Sequence, residues 1–222
     1  LLGRSGRSKT IPQALMRQEN FAVVMSRGDT STRSESSYAT RNCLEQQLSA
    51  ILHAGGILQD AMLTNHTAVK NRGVMAPKVG FLPTLDFLSS TVAMSCAVYF
   101  SSIATAFGFF GQANYAASNA VFDEHARHLT ARGQTASSVQ WGAWGGAGMA
   151  SKNNSTLRRA EKLGFGVLSQ ACGLTTLEKI FTMGAYSRPG MSPMDVVCAS
   201  PVIWDAFLKS VPSMFVSYSD HV

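Results

Sequence analysis

Charge is scarce in this sequence. Asp, Glu, Lys and Arg make up 14% of its 222 residues, against an apolar share of 45%. That balance excludes a self-repelling, disordered chain and leaves a folded one, long enough for a single α/β domain with a real core. Acid is scarcer than base, 13 residues against 19, which gives a formal charge of +6. Such a surplus suits an anionic partner, whether a dinucleotide phosphate, an acidic carrier protein or a nucleic acid. The basic residues are scattered and form no aromatic-interleaved stripe, which argues against nucleic acid. Cysteine is confined to Cys43, Cys96, Cys172 and Cys198. No two of them have metal-ligand spacing and no C-x-x-C occurs, so free, buried thiols in a reducing, cytoplasmic compartment are expected and a metal site is not. His125 and His128 lie three apart on an expected helix, with no third ligand nearby, and read as part of a solvated face.

No charged residue occurs between Leu88 and Phe110, a run long enough to suggest a membrane span. Seven of its positions are Ser or Thr, at 89, 90, 91, 95, 101, 102 and 105, and Gly108 interrupts it. A buried strand with flanking turns fits it better, and no membrane contact is expected. No signal-peptide pattern precedes it. The sequence opens on Leu1-Leu2-Gly3 without an initiator Met, as expected of a piece of a longer protein.

Short β-type runs alternate with longer helical segments. The runs are Phe21–Met25, Leu48–Leu52 leading into His53-Ala54-Gly55-Gly56, Ala97–Phe100 leading into Ser101-Ser102, Ala136–Gln140 leading into Trp141-Gly142, and Val196–Cys198. Between them, Tyr115 to Thr130 has helical periodicity, with apolar Ala120, Val121, Phe122 and Ala126. Alternation of this kind predicts a doubly wound parallel sheet with helices on both faces. Ligands bind such sheets beyond the carboxyl ends of the strands, where Gly and Ser cluster in this chain. Residues 145–168, rich in Gly, Ser and Asn and poor in apolar anchors, read as a mobile lid.

The chemistry follows from residue types at those strand ends. Reducing a ketone needs a hydride donor on one face and a proton for the developing alkoxide. A tyrosine supplies the proton if its pKa, ordinarily about 10, is lowered, and a nearby ammonium lowers it. A serine hydroxyl can hold the carbonyl oxygen near the phenol. Ser102 at a strand end and Tyr115 at the next helix start meet these demands.

The stretch from Tyr99 to Asn119, with its Ser101-Ser102 and Tyr115-Ala116-Ala117-Ser118-Asn119, resembles the core of type I polyketide synthase ketoreductase domains. These belong to the short-chain dehydrogenase/reductase superfamily. Most of that superfamily carries its Lys four residues after the Tyr. Here position 119 is Asn, as in the synthase ketoreductases, and Ala76-Pro77-Lys78-Val79-Gly80 resembles their displaced lysine motif. The spacings agree: 24 residues from Lys78 to Ser102, 13 to Tyr115 and 4 to Asn119.

The resemblance implies a Rossmann-like fold and a single catalytic domain over 1–222. It implies a catalytic quartet of Ser102, Tyr115, Lys78 and Asn119, with Lys78 lowering the Tyr115 pKa. It implies NADPH bound by Arg4 and Ser5 at the 2′-phosphate and by Asp29 and Thr30 at the adenine. Ala54, Gly55, Gly56, Lys78, Tyr115 and Gly142 would form the rest of the cofactor site, with the pro-S hydride transferred. Phe107, Asn114 and Met149 would touch the substrate, a β-ketoacyl chain on the phosphopantetheine arm of an acyl carrier protein flanked by other synthase domains. Leu58-Gln59-Asp60 keeps the last Asp of the family's D-hydroxy marker, and Phe107 replaces the Trp that marks the opposite outcome, so a D-hydroxy product is expected. The family's first strand and Gly-rich pyrophosphate loop would lie before Leu1. The domain is therefore expected to be partial as given, and to bind NADPH weakly. A fatty-acid-synthase ketoreductase shares these motifs, and a non-catalytic scaffold domain is the other reading. A sugar epimerase is disfavoured by Lys78 and Asn119.

Overall fold

The computed structural model describes residues 2–3, 26–27, 50–92, 94–146, 154–185 and 194–210. In chain order the strands are β1 (Leu2–Gly3), β2 (Ser26–Arg27), β3 (Ala50–His53), β4 (Cys96–Ser102), β5 (Ala136–Trp141) and β6 (Val196–Ala199). The helices are α1 (Ala68–Val79), α2 (Leu82–Thr91), α3 (Ala104–Phe107), α4 (Ala113–Ala131), α5 (Asn154–Lys162), α6 (Gln170–Ala185) and α7 (Trp204–Ser210), with a 3₁₀ turn at Leu63–Asn65.

Strands β3 to β6 form a parallel sheet in the order β3-β4-β5-β6. Parallel neighbours cannot be joined by tight turns, so each connection crosses over through helices. β1 and β2 pair with each other, also in parallel. The sheet's alternation divides the core. Ala97 and Tyr99 of β4 face one side and pack with Phe81, Leu85, Phe122, Ala126 and Leu129 of the α1–α2 connection, α2 and α4. Cys96 and Val98 face the other side and pack with Val139, Trp141, Leu168 and Ile180 of α6. This is the doubly wound α/β arrangement expected from the sequence. A third cluster joins Ile103 to Ala160, Phe165 and Phe207 near the carboxyl ends of the strands.

Several expectations change. The uncharged run from Leu88 to Phe110 is a central strand flanked by helix rather than by turns: the end of α2 precedes β4 and α3 follows it. Among the described residues no helix is long and apolar enough to cross a membrane. The buried face of α4 is more polar than its apolar residues suggest. Ala120 is exposed, whereas Asn114, Ser118, Asn119, Asp123 and His125 are buried with Phe122, Ala126 and Leu129. His125 is therefore not on a solvated face; it lies against the Tyr99 ring, with Nδ1 3.7 Å from Asp86. Finally, the second half of the expected lid is anchored. Phe165 and Leu168 are buried, Leu168 donates to Ala143 O and accepts from Gly145 N, and Phe165 bridges to Val202. Burial of Phe165 outweighs the polar composition that suggested weak packing.

The run Phe21–Met25 lies outside the described residues, as do Arg4, Ser5, Asp29, Thr30 and Met149. Among the described cysteines, which are all free thiols, Cys96 is buried as expected, but Cys172 and Cys198 are exposed, against the expectation of burial. Among the described residues, no three or more His, Cys, Asp or Glu side chains come together as a metal site would require.

Candidate active site

Three structural devices set the site. The first is the end of β4. Ser102 pairs with Trp141 at the last rung of the β4–β5 ladder, and the chain turns directly into α3. At that turn the Ser102 Oγ accepts from Ala104 N at 3.2 Å, and Thr105 Oγ1 donates to Ser102 O at 2.8 Å. With Oγ accepting, the hydroxyl hydrogen is left to donate to another group.

The second device is the start of α4. Asn114 Oδ1 accepts from Tyr115 N at 2.8 Å, and Asn114 Nδ2 donates to Gln59 O at 3.1 Å. Gln112 Nε2 donates to Asp60 Oδ2 at 3.0 Å, and Ala61 N to Gly111 O at 3.0 Å. The loop after β3 is thereby pinned to the helix that carries Tyr115. One turn later, Asn119 Nδ2 donates to Tyr115 O at 2.8 Å, while Asn119 Oδ1 is buried without a hydrogen-bond partner. Burial pushes the Tyr115 phenol above its ordinary value; the side chains of Asn119 and Ser102 pull it back, and the Asp60 charge pushes it up. The net direction is opposite to the expected lowering. A phenol held this way stays protonated at neutral pH, the state a proton donor needs.

The third device is Lys78, near the end of α1, 3% exposed. Its Nζ donates to Phe100 O at 2.6 Å and lies 4.4 Å from the centroid of the Phe122 ring. Phe100 follows Tyr99, whose partner His53 is the last residue of β3, so this carbonyl lies just beyond the final β3–β4 pair. Burial brings the Lys78 pKa down to about 7, against the opposing charge of Asp123. Among the described residues, the groups acting on the Tyr115 phenol are Asn119, Ser102 and Asp60; Lys78 is engaged by Phe100 O instead.

The sequence-derived residues thus divide. Ser102, Tyr115 and Asn119 converge, while Lys78 of α1 reaches β4 at the Phe100 carbonyl. Asn114 is committed to backbone groups, which makes it a support for Tyr115 as placed. Phe107 is half-buried against Phe165 and Phe207, at centroid distances of 5.2 Å from each. Ala54 and Gly55 are exposed at the end of β3, with Gly56 partly so. Gly142 is buried, and a Cβ there would collide with the Ser200 side chain.

Four participants were not singled out from the sequence. His53 is buried between Phe81 and Phe122, with Nε2 3.1 Å from Pro77 O. Asp123 is buried, accepting from Ser138 Oγ at 2.6 Å and from Gln140 Nε2 at 2.8 Å. The available signals were spacing ones: Asp123 is four residues after Asn119 on α4, and Ser138 and Gln140 are two apart on β5, which puts each set on one face.

The strand-end cradle fits a nicotinamide group. Small residues at 54–56 leave the backbone approachable, and Asn119 Oδ1 is a buried acceptor without a partner.

Comparison with known proteins agrees with this geometry. The family model described as KR domain matches residues 1–146. The polyketide synthase GfsB of Streptomyces halstedii is 35% identical over 152 residues, covering 68% of this chain and 3% of that protein. The mycoketide-CoA synthase of Mycobacterium tuberculosis is 32% identical over 176 residues, covering 78% of this chain and 4% of that protein. The chain therefore spans a small fraction of the curated relatives it matches. Among solved structures, the A-type ketoreductases from a modular polyketide synthase superpose with a TM-score of 0.77 at 26% identity, covering 87% of this chain and 39% of that chain. The ketoreductase from the first module of phoslactomycin biosynthesis in Streptomyces sp. HK803 superposes at 0.74 with 28% identity, covering 87% and 44%. On the family match, the relatives and the shared fold together, this chain belongs to the ketoreductase (KR) domain family of type I polyketide synthases.

Proposed function

We propose that the domain reduces a β-ketoacyl thioester, carried on the phosphopantetheine arm of an acyl carrier protein, to the D-β-hydroxyacyl thioester. The observation that carries this reading is the convergence of Ser102, Tyr115 and Asn119 at the carboxyl end of β4 and the start of α4. When bound, NADPH supplies a hydride, so the carbonyl carbon gains two electrons and the alcohol oxygen takes one proton from the protein.

Ser102, its Oγ fixed by Ala104 N, donates its hydroxyl hydrogen to the substrate carbonyl oxygen and holds it beside the phenol. Tyr115, protonated at neutral pH, gives its proton to that oxygen as negative charge develops there. The phenolate left behind is reprotonated from the side of Asn119 and Lys78. A Lys midpoint near 7 suits that work, because the group can release and regain a proton at neutral pH. Arg4 and Ser5 are assigned to the 2′-phosphate, Asp29 and Thr30 to the adenine, and Ala54, Gly55, Gly56 and Gly142 to the nicotinamide side. Phe107 and Met149 are assigned to the acyl chain, with Asn114 at the substrate's edge. Asp60, held by Gln112, supports the D-hydroxy assignment.

The test supplies the full-length polypeptide with NADPH and a β-ketoacyl diketide thioester, following cofactor oxidation and the product's configuration by chiral chromatography. The expected result is one NADPH consumed per D-hydroxy product formed. No turnover in a folded protein would favour the scaffold reading, and an L-hydroxy product would overturn the stereochemical assignment.

A further inference from the structure

Lys78 brings a positive charge into a nearly sealed site, and the acceptor it touches is a neutral carbonyl. Burial alone discharges such an ammonium. The geometry around it supplies a remedy that the catalytic quartet does not include. Asp123 follows Phe122, whose ring lies under the Lys78 Nζ, and it is one helical turn beyond Asn119. It is 4% exposed, yet both carboxylate oxygens are engaged, by Ser138 Oγ and by Gln140 Nε2. Ser138 and Gln140 flank Val139, and Val139 is the register partner of Phe100, the residue whose carbonyl takes the ammonium. Two adjacent strands thus hold the cation's acceptor on one rung and the anion's donors on the rungs either side of it. Among the described residues no cation lies within ion-pair distance of Asp123, so its charge acts on Lys78 through space. Among the described residues, His53 on β3 is a second titratable neighbour of Lys78.

We propose that Asp123 is a positioning residue of this site: the buried counter-charge, clamped by Ser138 and Gln140, that keeps Lys78 an ammonium on the Phe100 carbonyl. The proposed reduction enters only through its consequence. Losing the charge discharges Lys78 at lower pH, so the basic limb of the pH–rate profile moves toward acid. Asp123 acts on the reaction through Lys78.

The experiment reads Lys78 directly. The full chain is labelled with 13Cε-lysine, the Lys78 resonance is assigned by its loss in Lys78→Met, and its midpoint is followed with pH. In the parent the midpoint is expected near neutrality. In Asp123→Asn it is expected to fall by at least about one pH unit, the scale on which a neighbouring opposite charge acts. Asp123→Glu, which restores the charge, should return it most of the way. Ser138→Ala, which removes one donor but no charge, should leave it near the parental value. An unmoved midpoint in Asp123→Asn, or an equal movement in Ser138→Ala, would overturn the proposal. If Asp123→Asn alone lacks the parental near-ultraviolet circular dichroism, Lys78→Met/Asp123→Asn is expected to recover it, because no unpaired charge remains buried. Failure to recover it would also overturn the proposal. A shifted Lys78 midpoint with an unchanged pH–rate profile would count against the catalytic role of Lys78 and leave the Asp123 assignment standing.

Discussion

Acid should destabilise this domain by protonating buried imidazoles, and His53 carries a contribution that can be isolated. Its ring is buried, wedged between Phe81 and Phe122, with Nδ1 unpartnered and Nε2 on the Pro77 carbonyl. Burial, aided by the nearby Lys78 charge, brings its pKa from 6.5 down to about 4. In the unfolded chain His53 takes its proton as pH falls through about 6.5, whereas in the native state it resists until about 4. Its contribution to stability is therefore complete above 6.5, declines as pH falls through that window, and is gone below 4. At about 1.4 kcal/mol per pH unit the gap is worth about 3 kcal/mol. That is a large fraction of the roughly 5–15 kcal/mol that holds an ordinary domain together. The perturbation is His53→Gln, which keeps an amide donor and cannot take the charge. Urea unfolding of parent and variant, compared from about pH 7 down to about pH 4, should show the parent losing about 3 kcal/mol more than the variant. Equal losses in the two proteins would refute the assignment of this acid sensitivity to His53.

Other residues give shorter tests. Gly164 has φ of +81°, and a Cβ there would meet Phe207 N and Ile203 O at 2.5 and 2.9 Å, so Gly164→Ala should cost about 2–4 kcal/mol by urea unfolding. Phe122 is fully buried and touches both the Tyr99 and His53 rings, so Phe122→Ala should cost about 3–5 kcal/mol by the same measurement. Gln112→Ala leaves Asp60 without its side-chain donor and loosens the loop pinned to α4. Its expected signature is a roughly 10-fold lower reduction rate with the fold intact by circular dichroism, the cost of a lost hydrogen bond of about 1.4 kcal/mol.

The strand ends were legible because the sequence marks them twice, by an uncharged run and by the Gly or Ser that follows. His53, Ser102 and Trp141 close β3, β4 and β5 where His-Ala-Gly-Gly, Ser-Ser and Trp-Gly suggested. The convergence of Ser102 with Tyr115 followed from placing one on a strand end and the other at a helix start, although the short α3 lies between β4 and the α4 that carries Tyr115. The partners of Lys78 were less legible. Its acceptor is decided by where β3 stops, which exposes the Phe100 carbonyl, and no property of Lys78 itself encodes that. Asp123 and His125 were hidden for a related reason. A polar residue on a helix reads as solvated unless the sheet face that receives it is known, and here β5 presents Ser138 and Gln140 to Asp123. In the Gly-, Ser- and Asn-rich 145–168 segment, residues 147–153 lie outside the described residues, and among the described ones Ala160, Phe165 and Leu168 are buried, packing that the composition around them does not announce.

The central claim is that Tyr115 delivers the proton in a ketone reduction. It is tested most directly by single-turnover reduction of a β-ketoacyl thioester by the full-length polypeptide, parent against Tyr115→Phe, with NADPH affinity measured alongside by fluorescence. The account predicts that Tyr115→Phe keeps the fold and binds NADPH within a few-fold of the parent, while its reduction rate falls by about 10²–10⁴, the scale of a lost general acid. Reduction at the parental rate by a folded Tyr115→Phe protein would contradict it.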